Sequence, residues 1–193
     1  MKHSANNSIV DTSLVDLDEL GSALNHVRNT LEELTISACC DSGNNIYLPV
    51  LDIKGSLKAL VDFEHLKKLE IPLQFLIVSF EPAEWVRLKD VVPMHIQSLV
   101  ITDDLDDQEQ NECDDDALYE LIKSWAQDRN TPKHNLRTIE LLLKKTDVYW
   151  GAEMRNMLKE LCNECHCEAK VTKFLVDYVH SRAVLEYYGM KDS

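Results

Sequence analysis

A short pattern of apolar positions, apolar-x-x-apolar-x-apolar, occurs four times along the chain. The copies lie at residues 31–36, 66–71, 96–101 and 136–141, so their starts are 35, 30 and 40 residues apart. The last two apolar positions of each copy are two residues apart, which is the period of one face of a β-strand. The pattern therefore predicts four short strands, each with one apolar face.

Apolar residues spaced three and four positions apart indicate helices between these strands. Such stripes occupy residues 17–27, 57–63, 85–91, 117–126 and 150–162. Beyond them, residues 169–175 are expected to form a fifth strand. Residues 178–188 are expected to form a capping helix, with Gly189 at its C′ position. Alternation of helices and strands implies parallel strands covered by helices.

Each helix–strand unit is too small to bury its own apolar face, so stacked units are expected to share one continuous core. A doubly wound sheet shows the same alternation but needs a glycine-rich phosphate-binding turn, and the five glycines of this chain are scattered. The repeated strand pattern therefore favours a solenoid of about five units in a single domain, residues 14–189. Residues 1–13 are expected to be a flexible N-terminus and residues 190–193 a tail.

Residues 93–105 read Pro-Met-His-Ile-Gln-Ser-Leu-Val-Ile-Thr-Asp-Asp-Leu and precede a helix that contains Trp125. Together with the strand at 135–141 and the following helix, which contains Trp150, they resemble the leucine-rich-repeat regions of fungal F-box-type proteins. The resemblance covers roughly residues 14 to 175. It implies a short, irregular α/β solenoid, with parallel strands on the concave side and helices on the convex side.

The resemblance also implies a function. It suggests a non-enzymatic protein–protein interaction module, the substrate- or partner-recognition part of an F-box-like system. Two features depart from the family: no F-box pattern is found in the chain, and the asparagine that follows the family's strands is absent. Its positions are taken by Ser37, Pro72, Thr102 and Leu142. Whether the chain belongs to a longer F-box protein is left open.

In such a solenoid, the side chains between the core positions of the strands line the concave face, which is the predicted binding surface. This face contains no aromatic residue, although aromatic side chains usually dominate interface energies. An ordinary solvated sheet face is therefore the alternative. The candidate binding residues are Glu33, Thr35, Ser37, Lys68, Glu70, Ser98, Val100, Thr102, Thr138 and Glu140.

Negative charge is concentrated in one predicted loop, residues 103–116, in which nine of fourteen residues are acidic and none is basic. The loop therefore accounts for nine of the chain's formal net charge of −14. A partner with a basic surface would be steered towards it, and a merely solvated connection is the alternative. A calcium site is disfavoured because the glycine and terminal glutamate of an EF-hand loop are missing. The acidic residues are Asp103, Asp104, Asp106, Asp107, Glu109, Glu112, Asp114, Asp115 and Asp116.

The remaining composition narrows the class of function. A pI near 4.8 argues against nucleic acid or an anionic membrane surface as the main partner. No secretory signal or membrane-spanning run is recognised, so an intracellular location, cytoplasmic or nuclear, is expected. No catalytic motif is found either, and we therefore predict neither enzymatic activity nor a cofactor.

Three of the six cysteines, Cys162, Cys165 and Cys167, surround His166 and form the densest group of soft metal ligands in the chain. A Cys-x-x-Cys pair can bind zinc or act as a redox pair. However, no second pair follows at a suitable distance, and free thiols are the expectation for an intracellular chain of this length. We therefore predict no metal site, with a metal-binding or thiol-dependent enzyme domain as the alternative function.

Overall fold

The computed structural model describes residues 12–38, 50–77, 88–105, 115–128, 135–143 and 151–173, and within them the chain is an α/β protein. The strands are β1 (Thr12–Asp16), β2 (Glu33–Thr35), β3 (Val50–Lys54), β4 (Lys68–Pro72), β5 (Ser98–Thr102), β6 (Thr138–Leu143) and β7 (Glu168–Lys173). All their pairings are parallel. Strands β2, β4, β5, β6 and β7 form one sheet in that order, and β1 pairs with β3 in a second sheet. The predicted α/β class with parallel strands is confirmed.

The five-stranded sheet keeps one register across all its strands, so equivalent residues lie in rows. One apolar row contains Leu34, Leu69, Leu99, Ile139 and Ala169. The next apolar row contains Ile71, Ile101, Leu141 and Val171. In β4, β5 and β6 these are the last two apolar positions of the repeated sequence pattern, and in β2 Leu34 is the first of the two. The pattern therefore encodes the register of the sheet as well as the positions of its strands.

Helices and turns cover the face that carries these rows. The described residues contain helices α1 (Leu17–Leu24), α2 (Leu73–Leu76), α3 (Asp115–Asp128) and α4 (Ala152–Glu164), and 3₁₀ turns at Asn25–Val27, Lys58–Asp62 and Leu88–Asp90. The fully buried residues include Ile122 and Trp125 in α3 and Leu158 in α4. All three belong to the same hydrophobic core as the apolar rows. None of the helices in these described segments is long and apolar enough to cross a membrane.

Most predicted elements that lie in the described residues are present. The stripes at 17–27, 117–126 and 150–162 correspond to α1, α3 and α4, and β7 confirms the fifth strand. The stripe at 57–63 forms a 3₁₀ turn and not an α-helix. Of the stripe at 85–91, the described part contains the 3₁₀ turn Leu88–Asp90. The capping helix at 178–188, the tail and residues 1–11 lie outside the described residues.

The two-stranded sheet was not predicted from the apolar pattern. Its strands have five residues each. Leu14 in β1 is 55% exposed, whereas Val15, Leu51 and Ile53 are partly buried against the core. Thr12 pairs with Val50, a contact between distant segments that local periodicity does not reveal. Strand β1 begins at Thr12, inside the N-terminal segment 1–13 that the sequence predicts to be flexible.

Asp16 joins this small sheet to the first helix. Its Oδ1 accepts hydrogen bonds from the backbone amides of Asp18 and Glu19, both at 3.1 Å, which caps the N-terminus of α1. Its Oδ2 lies 3.1 Å from Nζ of Lys54, the residue opposite it in β3. The amide of Glu19 and the Lys54 ammonium lower the pKa of Asp16, and the Asp16 carboxylate raises the pKa of Lys54. The Asp16 carboxylate therefore caps α1 and forms an ion pair with the neighbouring strand β3.

Candidate functional site

The face of the five-stranded sheet away from the apolar rows carries three further rows in register, which we call the polar face. The first row contains Glu33, Lys68, Ser98, Thr138 and Glu168; the second contains Thr35, Glu70, Val100, Glu140 and Lys170; the third contains Pro72, Thr102, Leu142 and Thr172. Nine of the ten candidate binding residues belong to these rows. The tenth, Ser37, lies just beyond the end of β2 and is exposed. The common register therefore places nine of the ten candidates on one face of the sheet.

The polar face also includes three residues that the sequence did not single out, all in the edge strand β7: Glu168, Lys170 and Thr172. In β7 the first position of the repeated pattern falls on His166, which is not apolar, so the pattern has no fifth copy. The two-residue spacing of Ala169 and Val171 is the sequence signal that indicates β7. It identifies the strand, and it also places the residues between them on the polar face.

The charges of the polar face are paired mainly within strands. Lys68 Nζ lies 3.8 Å from Oε2 of Glu70, and Lys170 Nζ lies 3.4 Å from Oε2 of Glu168. Glu140 instead accepts a hydrogen bond of 3.0 Å from the hydroxyl of Thr172. The three rows contain four carboxylates and two ammonium groups, so this surface is acidic overall. Both ion pairs are long, and their side chains are partly or fully exposed, so they contribute little to stability.

The middle of the polar face is a strip of small, uncharged residues along β5. Val100 is only 3% exposed and Thr102 only 4%, whereas Ser98 is half-buried. Glu70 and Glu140 flank Val100 from the two neighbouring strands, with their backbones about 10 Å apart across two strand spacings. Val100 and Thr102 therefore form the floor of this surface, and the candidate contacts that remain accessible lie on the flanking strands.

Thr102 has a second unusual property. Its hydroxyl oxygen is buried and has no hydrogen-bond partner among the described residues. A buried hydroxyl without a partner costs stability, so its presence at the carboxyl end of β5 is unfavourable for folding.

The acidic loop begins directly after β5, and its first residues are held by the fold. Asp104 Oδ2 accepts a hydrogen bond of 3.2 Å from the backbone amide of Ala38, and the amide of Asp103 donates to the carbonyl of Leu142 at 3.3 Å. Asp103 is 9% exposed and Leu105 is 1% exposed. This end of the loop is thus packed against the sheet and is not a freely solvated connection.

The rest of the acidic loop divides into two parts. Asp115 and Asp116 are the first two residues of α3. The remaining acidic candidates lie outside the described residues: Asp106, Asp107, Glu109, Glu112 and Asp114.

The cysteine group lies at the end of α4, where the helix closes in a Schellman motif. The amide of Cys167 donates to the carbonyl of Cys162 at 2.9 Å, and the amide of His166 donates to the carbonyl of Asn163 at 3.1 Å. His166 takes the left-handed conformation of the motif, with φ of 57°. Cys165 is the C-cap residue.

The three thiols are free and differ in environment. Cys162 and Cys167 are buried, and Cys165 is half-buried. A hydrogen bond between the sulfurs of Cys162 and Cys167 raises the pKa of Cys162 and lowers that of Cys167, and burial raises the pKa of Cys165. In the described part of the chain no three His, Cys, Asp or Glu side chains converge so that they could hold a metal ion. Cys39, Cys40 and Cys113 lie outside that part.

Comparison of the chain with protein-family models, with curated proteins and with solved structures finds no match.

Proposed function

We propose that this chain is a non-enzymatic protein–protein interaction module built as a short leucine-rich-repeat-like solenoid. The order of strands in the large sheet supports the solenoid, because each successive unit adds its strand at the same edge and in the same register. A doubly wound sheet would reverse direction at a switch point, and the five described strands of this sheet do not.

The small sheet supports the same proposal. The first unit runs through β1, α1 and β2, and the second runs through β3, the turn Lys58–Asp62 and β4. Strand β3 pairs with β1 in one sheet, while β4 pairs with β2 in the other. Two consecutive units thus stack through both of their strands, as repeats of one supersecondary unit do.

The polar face is the surface we assign to the partner, and its acidity carries the assignment. The three rows contain four carboxylates and only two ammonium groups. The acidic loop begins at the carboxyl end of β5 in the same sheet. A partner with a basic surface complements both features. In this proposal Glu33, Glu70 and Glu140 make the contacts, and β5 provides a smooth floor between them.

The test is quantitative affinity capture with a charge-reversed protein. Glu33, Glu70 and Glu140 are changed together to Lys, and the matched control changes three exposed carboxylates elsewhere, Glu64→Lys, Glu153→Lys and Glu160→Lys. Both variants alter the net charge equally. We expect at least one partner of the wild type to be lost from the first variant and kept by the control. Identical partner sets for all three proteins would overturn the assignment of the polar face.

The resemblance to F-box-type proteins supports a more specific version of this proposal, in which the module recognises the substrates or partners of an F-box-like system in the cytoplasm or nucleus. Mapping the full transcript tests this version. An F-box reading frame joined to this one would support it, and a transcript without an F-box would overturn it. The second result would leave the polar-face experiment valid, because that experiment does not depend on a ligase.

A further inference from the structure

The Schellman motif at the end of α4 brings two particular side chains together. A hydrophobic contact between the residue at C″ and the residue at C3 or C4 frequently accompanies this motif. Here Cys162 is at C3 and Cys167 is at C″, as their 2.9 Å backbone hydrogen bond shows. Both thiols lie in the hydrophobic core, with residue exposures of 1% and 8%. The fold has therefore placed two sulfurs where a helix cap normally buries two hydrocarbon groups.

The sequence suggests a different pair. Cys162 and Cys165 have the Cys-x-x-Cys spacing, but Cys165 is the C-cap residue and is half-buried, while Cys167 follows His166 and turns back towards the helix. The left-handed backbone of His166 reverses the chain at this point. Because a disulfide requires its two Cβ atoms to approach within about 4.5 Å, the chain reversal decides which thiols are able to join.

We propose that Cys162 and Cys167 are an oxidisable dithiol that closes to an intramolecular disulfide on reaction with a low-molecular-weight disulfide such as glutathione disulfide, and that Cys165 stays reduced. This inference concerns a modification site and is independent of the proposed function. The chain reversal at His166 returns Cys167 to the last turn of α4, where its amide bonds to the Cys162 carbonyl, and both side chains are buried in the same core.

The exchange proceeds in two steps. The Cys167 thiolate, whose pKa is lowered by the hydrogen bond from Cys162, attacks one sulfur of glutathione disulfide and releases one glutathione thiolate. Cys162 then loses its proton and attacks the Cys167 sulfur of this mixed disulfide, which releases the second glutathione. Two protein thiols are oxidised to one disulfide, glutathione disulfide is reduced to two glutathione molecules, and the two protons pass to the released thiolates.

The crosslink ties the last turn of α4 to the residue that precedes β7, which is an edge strand of the described sheet. It would hold His166 in its left-handed conformation, which a residue other than glycine rarely adopts. Oxidation therefore changes the rigidity of one end of the sheet and leaves the polar face in place.

Differential labelling of the folded, full chain tests the proposal. The protein is incubated with glutathione disulfide and quenched in acid. Free thiols are blocked with N-ethylmaleimide, and oxidised thiols are then reduced and labelled with iodoacetamide. All three cysteines lie between Lys159 and Lys170, so one tryptic peptide, residues 160–170, reports on each of them after fragmentation. We expect iodoacetamide on Cys162 and Cys167 and N-ethylmaleimide on Cys165.

Any other major pattern overturns the proposal: N-ethylmaleimide on all three cysteines, a disulfide that includes Cys165, or a glutathione adduct that persists on Cys167. The same reaction in urea shows whether the fold directs the pairing. We expect mixed pairings there, and an equally selective Cys162–Cys167 disulfide in urea would contradict a role for the Schellman motif.

Two variants complete the experiment. Cys165→Ser is expected to form the disulfide as the wild type does, and Cys162→Ser is expected to accumulate the glutathione adduct on Cys167. Failure of Cys165→Ser to close would assign the chemistry to Cys165. Because Cys162 is buried and its substitution can unfold the chain, the mapping of the wild type decides the proposal without that variant.

Discussion

The two faces of the five-stranded sheet follow different rules. On the face covered by helices, every row keeps one class of residue from strand to strand, as in the row of Leu69, Leu99 and Ile139. On the polar face each row changes class, so that Glu70 is followed by Val100 and then by Glu140. Stacking imposes the same packing requirement on each unit on the covered face, whereas the rows of the polar face are not held to one class of residue. The face covered by helices, which we call the repeated face, therefore determines the fold. The residues of the polar face are free to vary from strand to strand.

The largest expected effect tests the repeated face. Leu99 is fully buried in the middle of its row, so Leu99→Ala removes packing on both sides and leaves a cavity. We expect a loss of about 2–5 kcal/mol in the free energy of unfolding. Urea unfolding measures this loss as a lower midpoint.

The neighbouring residue Ser98 is the matched control, because it belongs to the polar face and is half-buried. Ser98→Ala should change the free energy of unfolding by less than about 0.5 kcal/mol. If the two variants lose similar stability, the two faces contribute alike and the comparison fails.

This contrast also explains how much of the structure was predictable. The rows of the covered face follow from one local pattern, and the stripes of α1, α3 and α4 follow from another, because both express periodic burial. The burial of Val100 and Thr102 was not predictable, since the alternation of the strand places both on the face away from the apolar rows. The pairing of β1 with β3 depends on distant segments. The Cys162–Cys167 hydrogen bond was not predictable either, because His166 occupies the C′ position, at which a glycine would have indicated the chain reversal.

Thr102 belongs to the polar face but is as buried as a core residue. It therefore tests whether a buried hydroxyl on this face costs stability. Thr102→Val keeps the shape of the side chain and removes a hydroxyl without a hydrogen-bond partner among the described residues. We expect a gain of about 1 kcal/mol in the free energy of unfolding. Thr172→Val is the control, because its exposed hydroxyl donates to Glu140, and it should bring no gain. A loss of stability in Thr102→Val would show that the hydroxyl is favourable where it is.

In the small sheet, unlike on the polar face, we expect a charged group to contribute to the stability of the fold. The pKa of Asp16 is lowered by the Glu19 amide and by Lys54. Its contribution is therefore complete above the ordinary pKa of aspartate, about 3.9, and is lost as the pH falls through the lowered value. Asp16→Asn retains the helix cap but cannot titrate. We expect the wild type to lose more stability than this variant when urea midpoints are compared between about pH 6 and about pH 3.

The control for the pH experiment is Asp62→Asn, which removes an exposed carboxylate without a described hydrogen bond or ion pair. It keeps the Asp16 arrangement, so its midpoints should follow those of the wild type. Equal pH dependence in Asp16→Asn and the wild type would mean that Asp16 contributes no pH-dependent stability.

The smallest effect on stability is expected where the effect on binding is largest, at Glu70 and Glu140. Changing both to Gln removes the charge, keeps their size and preserves an acceptor for Thr172. Because the Lys68–Glu70 ion pair is long and partly exposed, the free energy of unfolding should change by less than about 0.5 kcal/mol. Binding of a fluorescent oligolysine peptide should become about two- to thirtyfold weaker, since two exposed ion pairs at about 0.2–1 kcal/mol each amount to about 0.4–2 kcal/mol.

The matched control removes two exposed carboxylates from α4, with Glu153→Gln and Glu160→Gln. The acidic loop is intact in both proteins, so any difference in affinity between them comes from the polar face. The difference should shrink as salt is raised, because screening weakens exposed charges first. If both pairs of substitutions reduce affinity equally, the peptide responds to net charge alone. The varied residues of the polar face would then be the result of relaxed packing requirements and not of recognition.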